Sequence, residues 1–148
     1  MPEKKPKRYI YGIQKHDSRN LHYDLRLQIP NKKTKCYSWA IPKGISKEYG
    51  KKRLAIYLDD SHKMEWLFYQ GKRIGSTKFY DGGKTGYGKG DYTLWDVGEY
   101  ELIERTEHKF LIHIYGKKIK GLYYIIYAKN IKNNENAWYI FKKVKSKK

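Results

Sequence analysis

The fold is constrained most by a succession of short, strand-favouring runs that are separated by turn signals. The sixteen tyrosines and four tryptophans of this 148-residue chain favour strand over helix. Turn signals such as "IPNKK", "YQGKR", "DVG" and "KNNEN" separate the runs. Many short strands at this spacing predict an all-β barrel or sandwich. We expect a mostly β, compact, barrel-like single domain of about eight or more short strands.

The predicted strands cover residues 9–14, 21–28, 35–41, 53–58, 66–70, 91–96, 100–104, 109–115, 121–128 and 138–143. One short helical turn is predicted in the stretch "PKGISKEYGKK", residues 42–52. We expect a folded domain over residues 9–144, with basic tails at residues 1–8 and 145–148.

The charge of the chain predicts its kind of partner. Lysine and arginine outnumber aspartate and glutamate by 33 to 15, which gives a formal net charge of +18. Such an excess predicts a polyanionic partner. The sequence contains no amphipathic helix with a basic face, no apolar run of roughly 20 residues and no apolar signal-peptide core. With the single cysteine Cys36 unable to form an internal disulfide, we expect a cytoplasmic, nucleoid-associated protein without a membrane partner.

One stretch, "IQKHDSRNLHYDLRLQ", combines a strand pattern with side chains that carry chemistry. Because side chains alternate along a strand, one face of residues 21–28 is polar. That face comprises His22, Asp24, Arg26 and Gln28. The opposite, apolar face comprises Leu21, Tyr23, Leu25 and Leu27. We expect a half-buried strand with this polar row on its other side, and the turn "DSRN" to fold His16 back beside it.

The polar row is a candidate metal site. Residues two apart on a strand lie roughly 6.6 Å apart, so His22 and Asp24 can converge on one ion together with His16. Two imidazoles and one carboxylate suit Mn²⁺, Fe²⁺, Zn²⁺ or Co²⁺ and leave coordination positions open for chemistry. Arg26, on the same face, offers a planar fork of donors that matches a phosphate. The alternative interpretation is a surface histidine that forms a hydrogen bond with a nearby aspartate.

The stretch "QKHDSRNLHYDLRL" resembles the opening motif of the 3′-phosphoesterase domain of bacterial DNA ligase D and its free-standing archaeal relatives. The resemblance continues in order through "SWAIPKG", "KRLAI", "HKMEW", "YGKG", "LWDVGEYE", "GKKIKG" and "WYIFKK". It therefore spans roughly residues 9–144, so the resemblance identifies the expected folded domain as a 3′-phosphoesterase domain.

The resemblance implies a compact, mostly β, metal-dependent phosphoesterase that repairs 3′ ends of DNA or RNA–DNA primer–templates during non-homologous end joining. Such an enzyme removes a 3′-terminal ribonucleoside by diester cleavage and a 3′-phosphate by monoester hydrolysis, which leaves a 3′-OH. A separate DNA ligase and polymerase are candidate partners that would use this end.

The resemblance also implies a role for each matching residue. The metal ligands would be His16, His22 and Asp24, and the ion is typically Mn²⁺, with Co²⁺ or Zn²⁺ as alternatives. The scissile phosphate would contact Arg26, Arg53 and His62. His62 is the expected proton donor to the leaving oxygen, because imidazole titrates near neutral pH. Lys43 would be a further active-site cation. The alternative for Arg53 and Lys43 is that both are solvated basic residues.

The sequence departs from the family pattern at four places. Trp66 stands where the family has tyrosine, and "LDDSH" carries one extra residue, so either Asp59 or Asp60 matches the family's acidic position. The loop "STKFYDGGKTG", residues 76–86, differs from the family's, and the N-terminal arm is a basic stub. We therefore expect the monoesterase step to be weaker than the diesterase step.

Two other classes of function remain open from the residues alone. A non-haem iron oxygenase also uses a His-x-Asp pair with a distant histidine, here His113. When such an enzyme uses 2-oxoglutarate, it needs a basic anchor beyond that histidine; no arginine follows Arg105, although lysines could substitute. A non-catalytic nucleic-acid-binding module would use aromatic rings and lysines but would not need the His16, His22, Asp24 and Arg26 set. Outside the motifs, His108 is predicted to be a loop residue and His113 a strand residue without a metal.

Overall fold

The computed structural model describes residues 7–17, 21–63, 67, 71–73, 90–128 and 136–144, with the backbone alone at 59–63, 71–73, 90 and 91. Its strands are β1 (Arg8–Asp17), β2 (Leu21–Gln28), β3 (Lys35–Ile41), β4 (Arg53–Lys63), β5 (Gly71–Arg73), β6 (Gly90–Thr106), β7 (Lys109–Tyr115), β8 (Lys120–Tyr127) and β9 (Ala137–Lys142). No helix of these residues is long and apolar enough to cross a membrane.

Eight of the strands close into an antiparallel β-barrel, as the sequence predicted. The strand order is β1-β2-β3-β4-β9-β8-β7-β6, and β6 pairs back with β1 to close the circle. The ninth strand, β5, pairs with the first residues of β6. Because neighbouring strands run antiparallel, β1, β3, β7 and β9 finish at one end of the barrel, where β2, β4, β6 and β8 begin. We call this end the site end.

The barrel interior is filled by large apolar side chains. Along β2, Leu25 and Leu27 point inward, and along β3 Trp39 and Ile41 do so. Neighbouring strands supply aromatic rings such as Tyr100, Phe110, Tyr123 and Trp138, all of which belong to the same buried cluster. Burial of so much apolar area is the main stabilising contribution to a fold of this kind. The outer face of β1, β2 and β3 is therefore free to carry polar side chains.

The predicted strand bounds agree with the structure at β2, β3 and β7, are shifted by one residue at β8 and β9, are too short at β1 and β4, and differ most at β6. We expected two strands, 91–96 and 100–104, joined by a turn at "DVG". The structure has the single strand Gly90–Thr106. This strand stays extended because β1 pairs with its first part and β7 with its second part. Register shifts interrupt the pairing at two places, where a bulge can bend the strand without a turn.

Three further expectations concern loops. The helical turn expected at residues 42–52 is wrong: a tight turn after Ile41, closed by the Gly44 N–H on the Ile41 carbonyl at 3.1 Å, leads into irregular backbone. Positive φ angles at Gly44 and Gly50 are incompatible with a helix. The turn expected at "YQGKR" is wrong for Gly71–Arg73, which pair with β6 as β5. The strand predicted at 66–70 lies outside the described residues except for Leu67, which is in a turn.

Candidate metal centre

The pairing of β1 with β2 brings the predicted metal ligands together. His16 lies directly opposite His22, and Gln14 lies directly opposite Asp24. Residues that face each other across antiparallel strands place their side chains on the same side of the sheet. The two histidines and the aspartate therefore share the outer face of the barrel, at the site end.

The ligand atoms of these three residues lie close to one another. His16 Nδ1 is 3.0 Å from His22 Nε2 and 3.2 Å from Asp24 Oδ2. The distance between His22 Nε2 and Asp24 Oδ1 is 3.3 Å. One atom from each residue fits within a group 4.8 Å across. Among the described residues this is the group of histidine, cysteine, aspartate and glutamate side chains that could hold a metal ion.

The electrostatics of the group keep its carboxylate ionised. Burial by itself would raise the pKa of Asp24, but the hydrogen bond from His16, the neighbouring His22 ring and the positive charge of Arg26 hold that pKa well below its usual range. Asp24 Oδ1 is buried and accepts no hydrogen bond from the described residues. A buried carboxylate oxygen without a donor is costly unless a further cation satisfies it.

The polar face is buried, although we expected it on the exposed side of a half-buried strand. His16 and Arg26 are both 0% exposed. Tyr92 of β6 stacks on the His16 ring at 3.8 Å, and Leu67 packs over β1 so tightly that a Cβ on Gly12 would lie 2.7 Å from its Cδ2. Residues that follow β4 in the sequence therefore cover this face. Periodicity within β2 alone could not reveal this cover.

Arg26 is held in a fixed orientation beside the triad. Its Nε donates to Gln14 Oε1 at 2.7 Å, and its Nη1 donates to Ser38 Oγ at 2.9 Å. Its Nη2 lies 3.9 Å from Asp24 Oδ2. Gln14 and Ser38 were not predicted from the sequence as site residues. The signal for Gln14 was its period-two relation to His16 on the same strand.

The other predicted cations, Arg53 and Lys43, lie together at the site end but not within the triad. Arg53 begins β4, and its Nη1 donates to the Lys43 carbonyl at 2.8 Å. The Arg53 Nε is buried and has no hydrogen-bond partner among the described residues. The Lys43 side chain is exposed in the loop between β3 and β4.

The remaining predicted positions are only partly described. The backbone of His62 pairs with Cys36, while its side chain lies outside the described residues, as do those of Asp59 and Asp60. Trp66 and the loop 76–86 also lie outside the described residues.

The two histidines outside the motifs lie as the sequence predicted. His108 is in the turn between β6 and β7. His113 is on β7, where its ring stacks on Tyr115 at 4.3 Å. His113 does not belong to the triad, so the ligand set of the iron-oxygenase alternative is not assembled by the described residues.

The donor set fits a divalent metal ion. Two imidazoles and one ionised carboxylate can supply three ligands, and the Asp24 oxygen without a hydrogen bond is a position that an ion would satisfy. Three protein ligands leave coordination positions for water and substrate, which is typical of catalytic rather than structural metal sites.

Comparisons with known proteins agree with this geometry. A family model described as the DNA Ligase D 3′-phosphoesterase domain matches residues 14–127, a range that contains the whole triad. The multifunctional non-homologous end joining protein LigD of Pseudomonas aeruginosa is 30% identical over 139 residues, which cover 89% of this chain and 15% of that protein. The protein of the same name from Mycolicibacterium smegmatis is 30% identical over 130 residues, which cover 80% of this chain and 15% of the relative. The chain thus spans about 15% of the length of these relatives.

Proposed function

The chain belongs to the DNA ligase D 3′-phosphoesterase domain family, and on that premise we propose that it is a metal-dependent hydrolase that heals 3′ ends of DNA. It would remove a 3′-terminal ribonucleoside by diester cleavage and, more slowly, a 3′-phosphate by monoester hydrolysis. The observation that carries this proposal is the buried triad of His16, His22 and Asp24 with Arg26 fixed beside it.

We assign the triad to a divalent metal ion, with Mn²⁺ first and Co²⁺ or Zn²⁺ as alternatives. When bound, such an ion supplies positive charge that polarises a phosphoryl oxygen. Arg26 would orient the scissile phosphate, because its guanidinium is preorganised by Gln14 and Ser38. Arg53 and Lys43 would add positive charge at the site end, and His62 would donate a proton to the leaving oxygen.

The substrate follows from the relatives. The names of both relatives place them in non-homologous end joining. We therefore propose DNA or RNA–DNA primer–template 3′ ends as substrates of this chain, with a DNA ligase and a polymerase acting on the healed ends. The net charge of +18 supports a nucleic-acid substrate. Such a substrate would place the protein with the nucleoid in the cytoplasm.

The order of products tests the proposed function. A primer–template with one 3′-terminal ribonucleotide is incubated with the protein and Mn²⁺, and the ends are resolved by electrophoresis. A terminal monoester carries nearly two charges, so it depends more on positioned donors than a diester does. Because Trp66 replaces the family's tyrosine, we expect 3′-phosphate ends to accumulate before 3′-OH ends form. A 3′-OH without a phosphate intermediate would contradict the inference from Trp66.

Chelation separates this enzyme from a non-catalytic binding module. Thorough removal of divalent ions should abolish cleavage, and Mn²⁺ should restore it. A protein that binds the same primer–template tightly but never cleaves it, with Mn²⁺, Co²⁺ or Zn²⁺ present, would be a binding module instead.

A further inference from the structure

We propose that a second surface at the site end binds single-stranded nucleic acid. This surface, the rim groove, is a cleft of about 590 Å³ whose lining includes Tyr49, His113, Lys120, Lys142, Lys143 and Val144. It shares no residue with the metal centre. This inference rests on the proposed function in one respect: the proposed function tells which nucleic-acid strand would occupy the groove.

Backbone hydrogen bonds fix the walls of the rim groove. Tyr49 forms a parallel bridge with Lys142, and the Gly50 N–H donates to the Lys142 carbonyl at 2.8 Å. The Lys143 N–H donates to the Leu122 carbonyl at 2.8 Å. The loop between β3 and β4 is thereby joined to the end of β9, and β9 to the start of β8. A groove with backbone walls is preformed, so little ordering cost opposes binding.

The charge of the rim groove selects an anion. Lysines 120, 142 and 143 line it, and the described residues that line it include no carboxylate. The neighbouring Glu48 pairs with Lys51 at 3.5 Å. Several lysines without acidic neighbours attract a phosphate backbone, which releases counterions when it binds.

The apolar part of the rim groove distinguishes a single strand from a duplex. The Tyr49 side chain is 48% exposed, and Val144 beside it is 61% exposed. The Lys142 ammonium lies over one face of the Tyr49 ring, 4.7 Å from its centre, so a cation and an aromatic ring share this wall of the groove. Base faces are available for stacking in a single strand, whereas in a duplex they are already stacked. The combination of platform and lysines therefore fits a single strand.

The position of the rim groove connects it to the proposed active site. The loop between β3 and β4 carries both Lys43 and Tyr49. The Tyr123 hydroxyl donates to the Ser46 carbonyl at 2.9 Å and so anchors this loop at a point between Lys43 and Tyr49. A strand held in the rim groove would therefore lie at the same end of the barrel as the metal centre.

Charge reversal of two groove lysines tests the proposal. We compare the groove pair, Lys120→Glu with Lys143→Glu, to a control pair of equal charge change, Lys32→Glu with Lys33→Glu. The control lysines are exposed in the loop between β2 and β3, at the opposite end of the barrel. Fluorescence anisotropy measures binding of an oligothymidine single strand and of a blunt duplex over a range of salt concentrations.

We expect the two groove substitutions to weaken single-strand binding at least about tenfold more than the two control substitutions do. The slope of log affinity against log salt should become shallower by about 1.4, which corresponds to two phosphates on a single strand. Duplex binding should change equally in both pairs. Equal losses of single-strand affinity in both pairs, or a groove-pair loss as large for duplex as for single strand, would overturn the proposal.

The aromatic platform has its own test. Tyr49→Ala should weaken single-strand binding about fivefold or more, because stacking on an aromatic ring contributes to affinity independently of charge. Ile103→Ala is the control, because Ile103 is 47% exposed and lies outside the groove. An unchanged affinity of Tyr49→Ala would contradict the assignment of a base platform. All these binding measurements stand even if the chain cleaves no substrate, so failure of the proposed function and failure of the rim groove are distinguishable.

Discussion

Asp24 and Asp96, two of the buried carboxylates in the described part of the chain, lie at comparable depth but have different surroundings. Asp24 is 2% exposed on the outer face of β2, and Asp96 is 5% exposed on β6. Both lie within the family-matched range and both are surrounded by potential donors. They differ in whether the surrounding protein satisfies every oxygen. That difference separates a structural carboxylate from a candidate ligand.

Asp96 is satisfied by fixed dipoles. Its Oδ2 accepts from the Tyr11 hydroxyl at 2.8 Å and from the Ile119 N–H at 3.1 Å. The N–H groups of Lys117 and Lys118 donate to its two oxygens at 3.2 Å. The carboxylate therefore pins the turn between β7 and β8 to the barrel. The fit is so close that a Cβ on Gly116 would lie 1.8 Å from the Tyr11 hydroxyl, which explains the glycine there.

Asp24 is surrounded by groups that can change partner. Its neighbours are the imidazoles of His16 and His22 and, more distantly, the guanidinium of Arg26, while Oδ1 accepts no hydrogen bond from the described residues. An imidazole nitrogen that carries a proton donates a hydrogen bond, and the same nitrogen without its proton can bind a metal; a backbone N–H group can only donate. A buried carboxylate among histidines can thus bind a metal ion, whereas one among backbone N–H groups can hold a turn in place.

The largest effect is expected from Asp24→Asn. The substitution keeps the shape of the side chain but removes the charge that an ion requires. We expect turnover of the ribonucleotide-tailed primer–template to fall at least about 1,000-fold, which corresponds to about 4 kcal/mol of transition-state stabilisation. Mn²⁺ binding by isothermal titration should be lost, while circular dichroism retains the strand signal. Undiminished Mn²⁺ affinity would show that the triad is not the metal site.

The same substitution at the other carboxylate should affect stability instead. In Asp96→Asn, an amide NH₂ would face backbone N–H groups that now lack an acceptor. We expect the free energy of unfolding in urea to fall by about 3 kcal/mol. Mn²⁺ affinity and turnover below the melting temperature should stay near those of the natural sequence. A loss of Mn²⁺ affinity as large as in Asp24→Asn would erase the distinction between the two carboxylates.

A metal titration of thermal stability sharpens the comparison further. An ion that binds the folded state alone stabilises it by about 2.7 kcal/mol at a concentration of 100 times the dissociation constant. For a chain of this size, that corresponds to a rise in melting temperature of roughly 5–10 °C. The rise should occur in the natural sequence and in Asp96→Asn but not in Asp24→Asn. An equal rise in all three proteins would place the bound ion elsewhere.

The sequence predicted the fold better than it predicted the surroundings of the site. The alternation of side chains in residues 21–28, 35–41 and 109–115 defined three strands with correct bounds, because local pattern and sheet pairing agree there. The single strand Gly90–Thr106 could not be predicted, because its continuity comes from two partners distant in sequence. Likewise, the expected helical turn does not form, because Gly44 and Gly50 have positive φ angles and the loop forms a bridge with β9.

For the candidate site, the residues could be predicted but not their environment. The spacing within β2 and the turn after His16 predicted that His16, His22 and Asp24 would meet, and the structure brings them together. The cover by Tyr92 and Leu67 depends on tertiary packing and carries no local signal. The same holds for Ser38, which reaches Arg26 only because β3 pairs with β2. The roles of Arg53, Lys43 and His62 stay predictions.

The smallest effect is expected at Tyr11, whose phenol donates a hydrogen bond to Asp96. Burial, followed by the hydrogen bond to Asp96 and the negative charge of Asp96, raises the pKa of Tyr11 above its ordinary value of about 10. The neutral phenol therefore stabilises the fold below about pH 10, and this contribution is lost as the pH rises further. Tyr11→Phe should lower the free energy of unfolding by about 1 kcal/mol at pH 7. Above pH 10 the stability of Tyr11→Phe should decline less steeply than that of the natural sequence, by up to about 1.4 kcal/mol per pH unit.

Urea titrations from pH 7 to 11 measure both quantities, and the double variant with Asp96→Asn measures the coupling between Tyr11 and Asp96. Identical alkaline slopes for Tyr11→Phe and the natural sequence would mean that Asp96 holds its turn without depending on the Tyr11 proton.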